Sequence, residues 1–268
     1  MFDYEECIKN FDNIFEDVKF TTNSYVRLKV LATLFSKPQN MKDITEKTKL
    51  SYSSVSSIIH DLELKHWVYR EHNKYFLTNS TQLCIGTILE LDKILFIIDE
   101  FFNMFEGHVV EVLPKDSIFE LYHLEKAHLL ESGGIDVYRT YTLIQNCLAD
   151  AGDVKCIMPF FYEPFFDIFN ELISKGNDVE ILVPVDVLDD FKEKSGIEIL
   201  TPFDQVCAFL LIVTSDEMIL GFYKDDGLFD QNMVLTSKSA DSVVWANNLF
   251  KNFKEENKWV LNSFIVFF

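Results

Sequence analysis

Residues 41–68 read MKDITEKTKLSYSSVSSIIHDLELKHWV, and YFLT follows at 75–78. In the first eight residues Met41, Ile44 and Thr45 share one side, which predicts a short helix over 41–48. LSYSS predicts a turn, with Ser51 placed as the N-cap of the next helix. In that helix Val55, Ile59 and Leu62 recur at 3.6-residue spacing. After His66 the pattern changes. Trp67 and Tyr69, then Tyr75 and Leu77, flank the polar tip Glu71-His72-Asn73-Lys74, which reads as a β-hairpin. Upstream, residues 24–36 place Val26, Val30, Leu31 and Leu34 on one side of another helix, which Pro38 ends.

Helix, helix, turn, helix, hairpin is the order of a winged helix-turn-helix. The run from Met41 to Val68 with its YFLT resembles the second helix, recognition helix and wing of prokaryotic transcription regulators of the MarR and ArsR kind. The resemblance covers about 55 residues and implies a recognition helix that enters the major groove of double-stranded DNA. One departure is His66, where those families often have glycine after the recognition helix. That change bears on how the chain turns into the wing.

With Val55, Ile59 and Leu62 turned to the core, Ser53, Ser56, Ser57 and His60 are left outward. Short hydroxyls near a helix N-terminus suit phosphate oxygens and base edges. Arg70, His72 and Lys74 put positive charge on the wing, and Lys42, Lys47 and Lys49 flank the turn. Taken without the resemblance, these residues also fit a plain solvated face. The expected recognition helix has no arginine, so bidentate reading of guanine is not available from it. Affinity is then expected from phosphates, shape and the wing, and site length from a homodimer on a pseudo-palindrome.

The charge balance of the chain needs dividing before it is used. Its 24 Lys and Arg stand against 43 Asp and Glu, for a formal charge of −19. Read whole, that argues against nucleic acid. Yet residues 20–80 hold 9 basic and 5 acidic side chains, while residues 81–268 hold 13 and 32. A mildly basic module is embedded in an acidic protein.

Several classes are disfavoured. No G-x-G-x-x-G, Walker loop, H-E-x-x-H or G-x-S-x-G occurs, so no enzyme, cofactor or metal is expected. The five cysteines, Cys7, Cys84, Cys147, Cys156 and Cys207, include no C-x-x-C pair and read as small buried hydrophobes. A redox-sensing role for one of them is the competing reading. No segment approaches a membrane span, and MFDYEECIKNF lacks the features of a signal peptide, so a cytoplasmic protein is expected.

Outside the winged helix, Ile8, Phe11, Phe15 and Val18 fall on one helical face. Residues 81–106 read as one long apolar helix, with Leu83, Ile88, Leu91, Leu95, Ile98, Phe102 and Phe105 facing a second copy or the following domain. Beyond it strands and helices alternate: VKCIMPFF, a helix opened by Pro164 and closed by Gly176, VEILVPV, VLDDFKEKS, IEILTPF, CAFLLIVTS, MILGFYK and MVLTS. Asp241 to Lys258 reads as the last helix. The expected fold is an α+β winged helix-turn-helix domain over 1–80, joined by the helix of 81–106 to an α/β domain over 107–268.

The second half resembles the sensor domain of archaeal methanogenesis-type regulators. The residues that carry this are PFFYEPFFDIFNELISKGNDVEILVPVDVL and FLLIVTSDEMILGFYKDDGLFDQNMVLTSKSADSVVWANNLFKNFKE. The resemblance implies a transcription regulator whose C-terminal domain senses a small-molecule effector, on a fold similar to phospholipase D. The catalytic H-x-K-x-x-x-x-D of that fold is missing from residues 107–268, where no His is followed two residues later by Lys.

Phe160 and Tyr162, with Phe161 between them, follow an expected strand and precede a helix N-terminus, where open α/β sheets bind ligands. Arg139, one of few basic residues in this half, is the matching candidate for an anionic effector. Core packing for the aromatics and a salt bridge for Arg139 are the other readings. Two competing functions stay open: an enzyme acting on a phosphorylated metabolite, and an interaction adaptor whose winged helix no longer binds DNA.

Overall fold

The computed structural model describes residues 18–204 and 209–257. They fall into two compact units dividing between Asp92 and Lys93, inside the helix that the sequence sets apart as a linker. Of the expected face Ile8, Phe11, Phe15 and Val18, only Val18 lies within the described residues, and it is exposed. Cys7, Cys207 and Lys258 lie outside them.

In the first unit three helices begin at a side-chain cap that takes up an orphaned N–H of the first turn. Ser24 caps α1 (Tyr25–Ser36) by accepting from the Arg27 N–H. Asn40 caps α2 (Met41–Thr48) by accepting from Asp43. Ser51, the expected cap, opens α3 (Tyr52–Leu64), with the Ser54 N–H at 3.1 Å. Val30, Leu31, Ile44, Val55, Ile59 and Leu62 are the centre of the core these helices share.

α3 closes in a Schellman turn. The Trp67 N–H donates to the Leu62 carbonyl at 2.9 Å, and the His66 N–H to that of Glu63 at 3.0 Å. Such a turn needs a left-handed residue at its centre, and His66 adopts φ 57°. A Cβ is crowded in that region, which is why glycine is usual there. His66 thus keeps the turn despite being the wrong residue for it. β1 (Val68–Glu71) and β2 (Lys74–Leu77) follow as an antiparallel pair with Arg70 opposite Tyr75. His72 at φ 42° and Asn73 at φ 66° are both left-handed, the mark of a two-residue type I′ turn that suits strand twist.

The long helix is broken. α4 (Asn79–Glu100) stops at Phe101, whose backbone leaves the helical region at φ −106° and ψ 26°, and α5 (Phe102–Glu106) resumes. Within the chain, the residues that pack are not those of the stripe expected to meet a second copy or the following domain. Ile85 joins the first unit's core, while Ile97, Phe101 and Met104 join a core of the second. Leu83, Leu91, Leu95, Ile98 and Phe102 remain exposed, and only Ile88 and Phe105 of that stripe are partly buried.

The second unit is built on one seven-stranded sheet. Its strands are β3 (His128–Glu131), β4 (Val154–Ile157), β5 (Val179–Pro184), β6 (Thr201–Phe203), β7 (Leu210–Val213), β8 (Met218–Gly221) and β9 (Met233–Ser237), in the order β3-β9-β8-β7-β4-β5-β6. β4, β5 and β6 run parallel because helices carry the chain between them: α8 (Glu163–Ser174), then α9 (Leu188–Ser195). β7, β8 and β9 form an antiparallel meander, so the sheet is mixed. Residues 197–200, expected as strand, lie in a turn after the left-handed cap Gly196, and β6 keeps three residues.

Both faces of the sheet are covered, so its central strands are apolar without alternation. Along β7, Leu211 and Val213 point into one core while Leu210 and Ile212 point into the other. α10 (Ala240–Glu256) lies on the first face through Trp245, Leu249 and Phe253. α7 (Arg139–Ala149), α8 and α9 cover the opposite face, where Phe165, Phe166 and Phe169 of α8 are fully buried. A further short helix, α6 (Lys115–Phe119), receives the Trp245 indole N–H on its Ser117 carbonyl.

Candidate functional site

All seven residues expected to meet DNA are exposed in the first unit. Ser53, Ser56, Ser57 and His60 lie on the side of α3 opposite its buried Val55, Ile59 and Leu62. The Ser53 hydroxyl is within 3.0 Å of the capping Ser51 hydroxyl. On the wing Arg70 is held by its own hairpin: Nη2 donates to Asn73 Oδ1 at 2.7 Å, and the guanidinium lies 5.7 Å from the centre of the Tyr75 ring. His72 Nδ1 is 3.4 Å from Glu71 Oε1. Lys74 is exposed across the hairpin from Glu71. Tyr52 was not among the expected residues, yet it is exposed at the first position of α3. Its signal was available, since it directly follows the cap.

In the second unit Phe160 and Tyr162 come together in a cavity of about 520 Å³. Six aromatic side chains line it: Tyr138, Tyr141, Phe160, Phe161, Tyr162 and Phe229, with Leu228 and Gln231 completing the wall. The strand directions explain the meeting. β4 and β8 point the same way, because each is antiparallel to β7, so the loop after β4 and the β8–β9 connection emerge at one end of the sheet. β3, antiparallel to β9, ends there too and leads into α7. The cavity therefore sits beyond the carboxyl ends of strands.

Its rings are set at angles. Tyr141 and Tyr162 have centroids 4.6 Å apart at 63°, and Phe160 and Phe229 4.5 Å apart at 40°. Burial first, and then the neighbouring Tyr162, push the Tyr141 phenol above its ordinary pKa, so the ring stays neutral. Arg139, the expected anion partner, is exposed at the first residue of α7 and does not line the cavity. Tyr138, Tyr141, Leu228, Phe229 and Gln231 were missed, because nothing local marks residues from separate segments as neighbours.

One wall of the cavity is tied to a buried polar cluster. Asp230, between Phe229 and Gln231, places Oδ2 3.1 Å from His108 Nε2 and 3.4 Å from Lys224 Nζ. Oδ1 accepts from the Asn232 N–H. On its other side His108 donates Nδ1–H to the Met104 carbonyl of α5 at 2.7 Å. The cavity wall and the helix after the long helix are thus joined through three hydrogen-bonded groups.

The remaining expectations divide. Cys147 and Cys156 are buried, and burial pushes the Cys147 thiol up to about 12 and that of Cys156 well above its usual value, which makes both poor thiolates. Cys84 departs from the expectation: it is exposed, next to the inward Ile85 on α4. Among the described residues no cluster of His, Cys, Asp or Glu could hold a metal ion, and no helix is long and apolar enough to cross a membrane.

A winged-helix unit followed by an α/β unit with a cavity at its strand ends is the class of protein that this fold and site define. Within that class, residues 15–99 match the family described as the N-terminal domain of the methanogenesis regulatory protein FilR1, and residues 137–256 match its middle domain. Both matches are to domains of one regulatory protein, and each covers less than half of this chain. A curated relative, the methanogenesis regulatory protein FilR1 of Methanothrix harundinacea (strain 6Ac), is 19% identical over 258 residues, covering 90% of this chain and 57% of the relative. This chain therefore spans little more than half of that relative's length.

Among solved structures, that of the archaeal chromatin protein TrmBL2, described as showing a novel mode of DNA binding, is 11% identical. The match covers 95% of this chain and 98% of that one, with a TM-score of 0.39. HmgR of Pseudomonas aeruginosa is 12% identical, with coverage of 87% and 93% and a TM-score of 0.26. At those overlaps the structural likenesses bear on neither activity nor partner.

Proposed function

We propose that the chain is a transcriptional regulator that binds double-stranded DNA as a homodimer and senses a small molecule through its second unit. The observation that carries this reading is the exposed face of α3 beside the charged hairpin. There Ser53, Ser56, Ser57 and His60 share the first unit with Arg70, His72 and Lys74, in a segment of 9 basic and 5 acidic residues. The match to regulatory domain families over both units supports the same reading.

Dimerisation is supported by Leu91, Leu95 and Ile98 of α4, which are exposed at a spacing of four and three, that of a helix seam. Sensing is supported by the cavity and by its link through Asp230 and His108 to α5. The phospholipase D-like ancestry of the second unit belongs to this proposal in a non-catalytic form: His108 is hydrogen-bonded on both ring nitrogens and has no Lys two residues on. A cytoplasmic site of action follows from the DNA reading.

Fluorescence anisotropy on DNA from upstream of its own gene, over a salt series, tests the proposal. The affinity is expected to fall with salt, and Arg70→Ala with Lys74→Ala to lower the slope by about two, one for each phosphate contact removed. A wild-type chain with no salt-sensitive affinity for that DNA ends the proposal. Because a dimer carries twice the −19 of one chain, binding to unrelated DNA is expected to be weak.

A further inference from the structure

The aromatic cavity has no charged side chain in its lining, which narrows what it can hold. We propose that its ligand is an organic cation of the methylated or quaternary ammonium class. This rests on the reading of the second unit as a sensor, and names the chemistry that unit would sense.

An aromatic face carries negative π density and attracts a cation that has shed its water. Here rings from three separate parts of the chain meet at angles of 63° and 40°, as corners of a cage. A slot for a flat aromatic ligand would need parallel walls. The volume of about 520 Å³ suits a small organic molecule. Phe161 already meets a cation in this way from elsewhere in the fold, with Lys194 Nζ 5.6 Å from its ring centre.

An anion finds little to bind. The lining offers only phenol hydroxyls and the Gln231 amide, and Arg139 lies outside it. The two nearby helix starts are weak anion sites. The first turn of α8 carries Glu163, and its Pro164 has no N–H. In α7 the Thr140 N–H is already donated to Ser132 Oγ at 3.2 Å.

The surrounding charge favours a cation too. Asp136, Glu163, Asp225 and Asp226 each lie within three residues of a lining residue. Against these four carboxylates the one basic residue equally near in sequence is Arg139, and Lys224, one place further off, is paired with Asp230. Residues 81–268 as a whole hold 32 acidic against 13 basic side chains.

Calorimetric titration of the full chain with three probes of one shape tests the inference. Choline carries the charge, 3,3-dimethylbutan-1-ol is its neutral isostere, and 3,3-dimethylbutanoate is the anion. Choline is expected to bind at least about tenfold more tightly than the neutral isostere, since more than one ring contributes. Tyr141→Leu and Phe160→Leu are expected to abolish that preference while keeping apolar bulk, and Tyr141→Phe to retain it. Thermal unfolding checks that each variant is folded.

Equal binding of choline and its isostere, or tighter binding of the anion, overturns the cation class and leaves sensing intact. Failure of all three probes at millimolar concentration also overturns it. Sensing itself falls only if DNA affinity is, in addition, unchanged by the small-molecule fraction of the native cells.

Discussion

In the first unit the residues that make the core and the residues proposed to meet DNA are different ones. Val55, Ile59 and Leu62 hold α3 in place, while Ser53, Ser56, Ser57 and His60 on its other side touch nothing in the core. In the second unit they are the same. Phe160, Phe161 and Tyr162 line the cavity and also pack against the buried cluster that includes Phe165 and Phe166. A binding surface on an amphipathic helix is free to change without affecting stability. A binding cavity cut into an aromatic core is not, because each wall is also a packing partner.

The largest effect that would sharpen this contrast is expected from Phe166→Ala. That side chain is 1% exposed and its ring lies 4.6 Å from that of Phe161. Truncation is expected to lower stability by about 3–5 kcal/mol in urea unfolding and to weaken any cavity ligand with it. Next comes His108→Ala, which removes a buried partner of Asp230 and is expected to cost about 3 kcal/mol. If the link through His108 serves sensing, the same change also uncouples ligand from DNA affinity, measured by anisotropy with and without ligand.

On the first unit, Arg70→Ala with Lys74→Ala is expected to weaken DNA binding roughly 10- to 100-fold at moderate salt. Its unfolding midpoint should barely move, since both side chains are exposed. A large loss of stability there would erase the contrast between the units. His66→Gly is expected to stabilise the first unit by about 0.5–1 kcal/mol, by removing a Cβ from the left-handed centre of the turn. The second unit already has the preferred residue at the matching place, where Gly176 at φ 84° closes α8 with the same pair of hydrogen bonds.

A further effect concerns pH. Cys147 is held as a thiol up to about 12, while an unfolded chain releases that proton near 9. Above pH 9 the unfolded state therefore binds fewer protons than the folded state, and stability falls as pH rises towards 12. Cys147→Ala should flatten that decline in urea unfolding between pH 8 and 11.

Legibility followed the same division. Ser51 as a cap, the inward trio of α3 and the tip of the hairpin were readable because each depends on residues within one turn or one strand pair. The positive φ of His66 was signalled only as a departure from a glycine. For the stripe on α4 the spacing left open whether it meets the following domain or a second copy. Many apolar residues crowd that helix, and spacing alone does not say whether Leu95 or Ile97 meets the core. Phe160 and Tyr162 were legible as residues after a strand, but Tyr141 and Phe229 were not, since 88 positions separate them.

By itself the sequence determined the local elements of the winged helix, the polarity of its outer face, and the uneven charge that leaves residues 20–80 basic in an acidic chain. Periodicity, capping and composition act over a few residues, so they are written in short stretches. Only the tertiary structure decided which face of α4 is covered, that the sheet is mixed, and that three distant segments close an aromatic cavity with Arg139 outside it. Those outcomes depend on strand order and direction, which bring residues together at the end of a sheet irrespective of their distance along the chain.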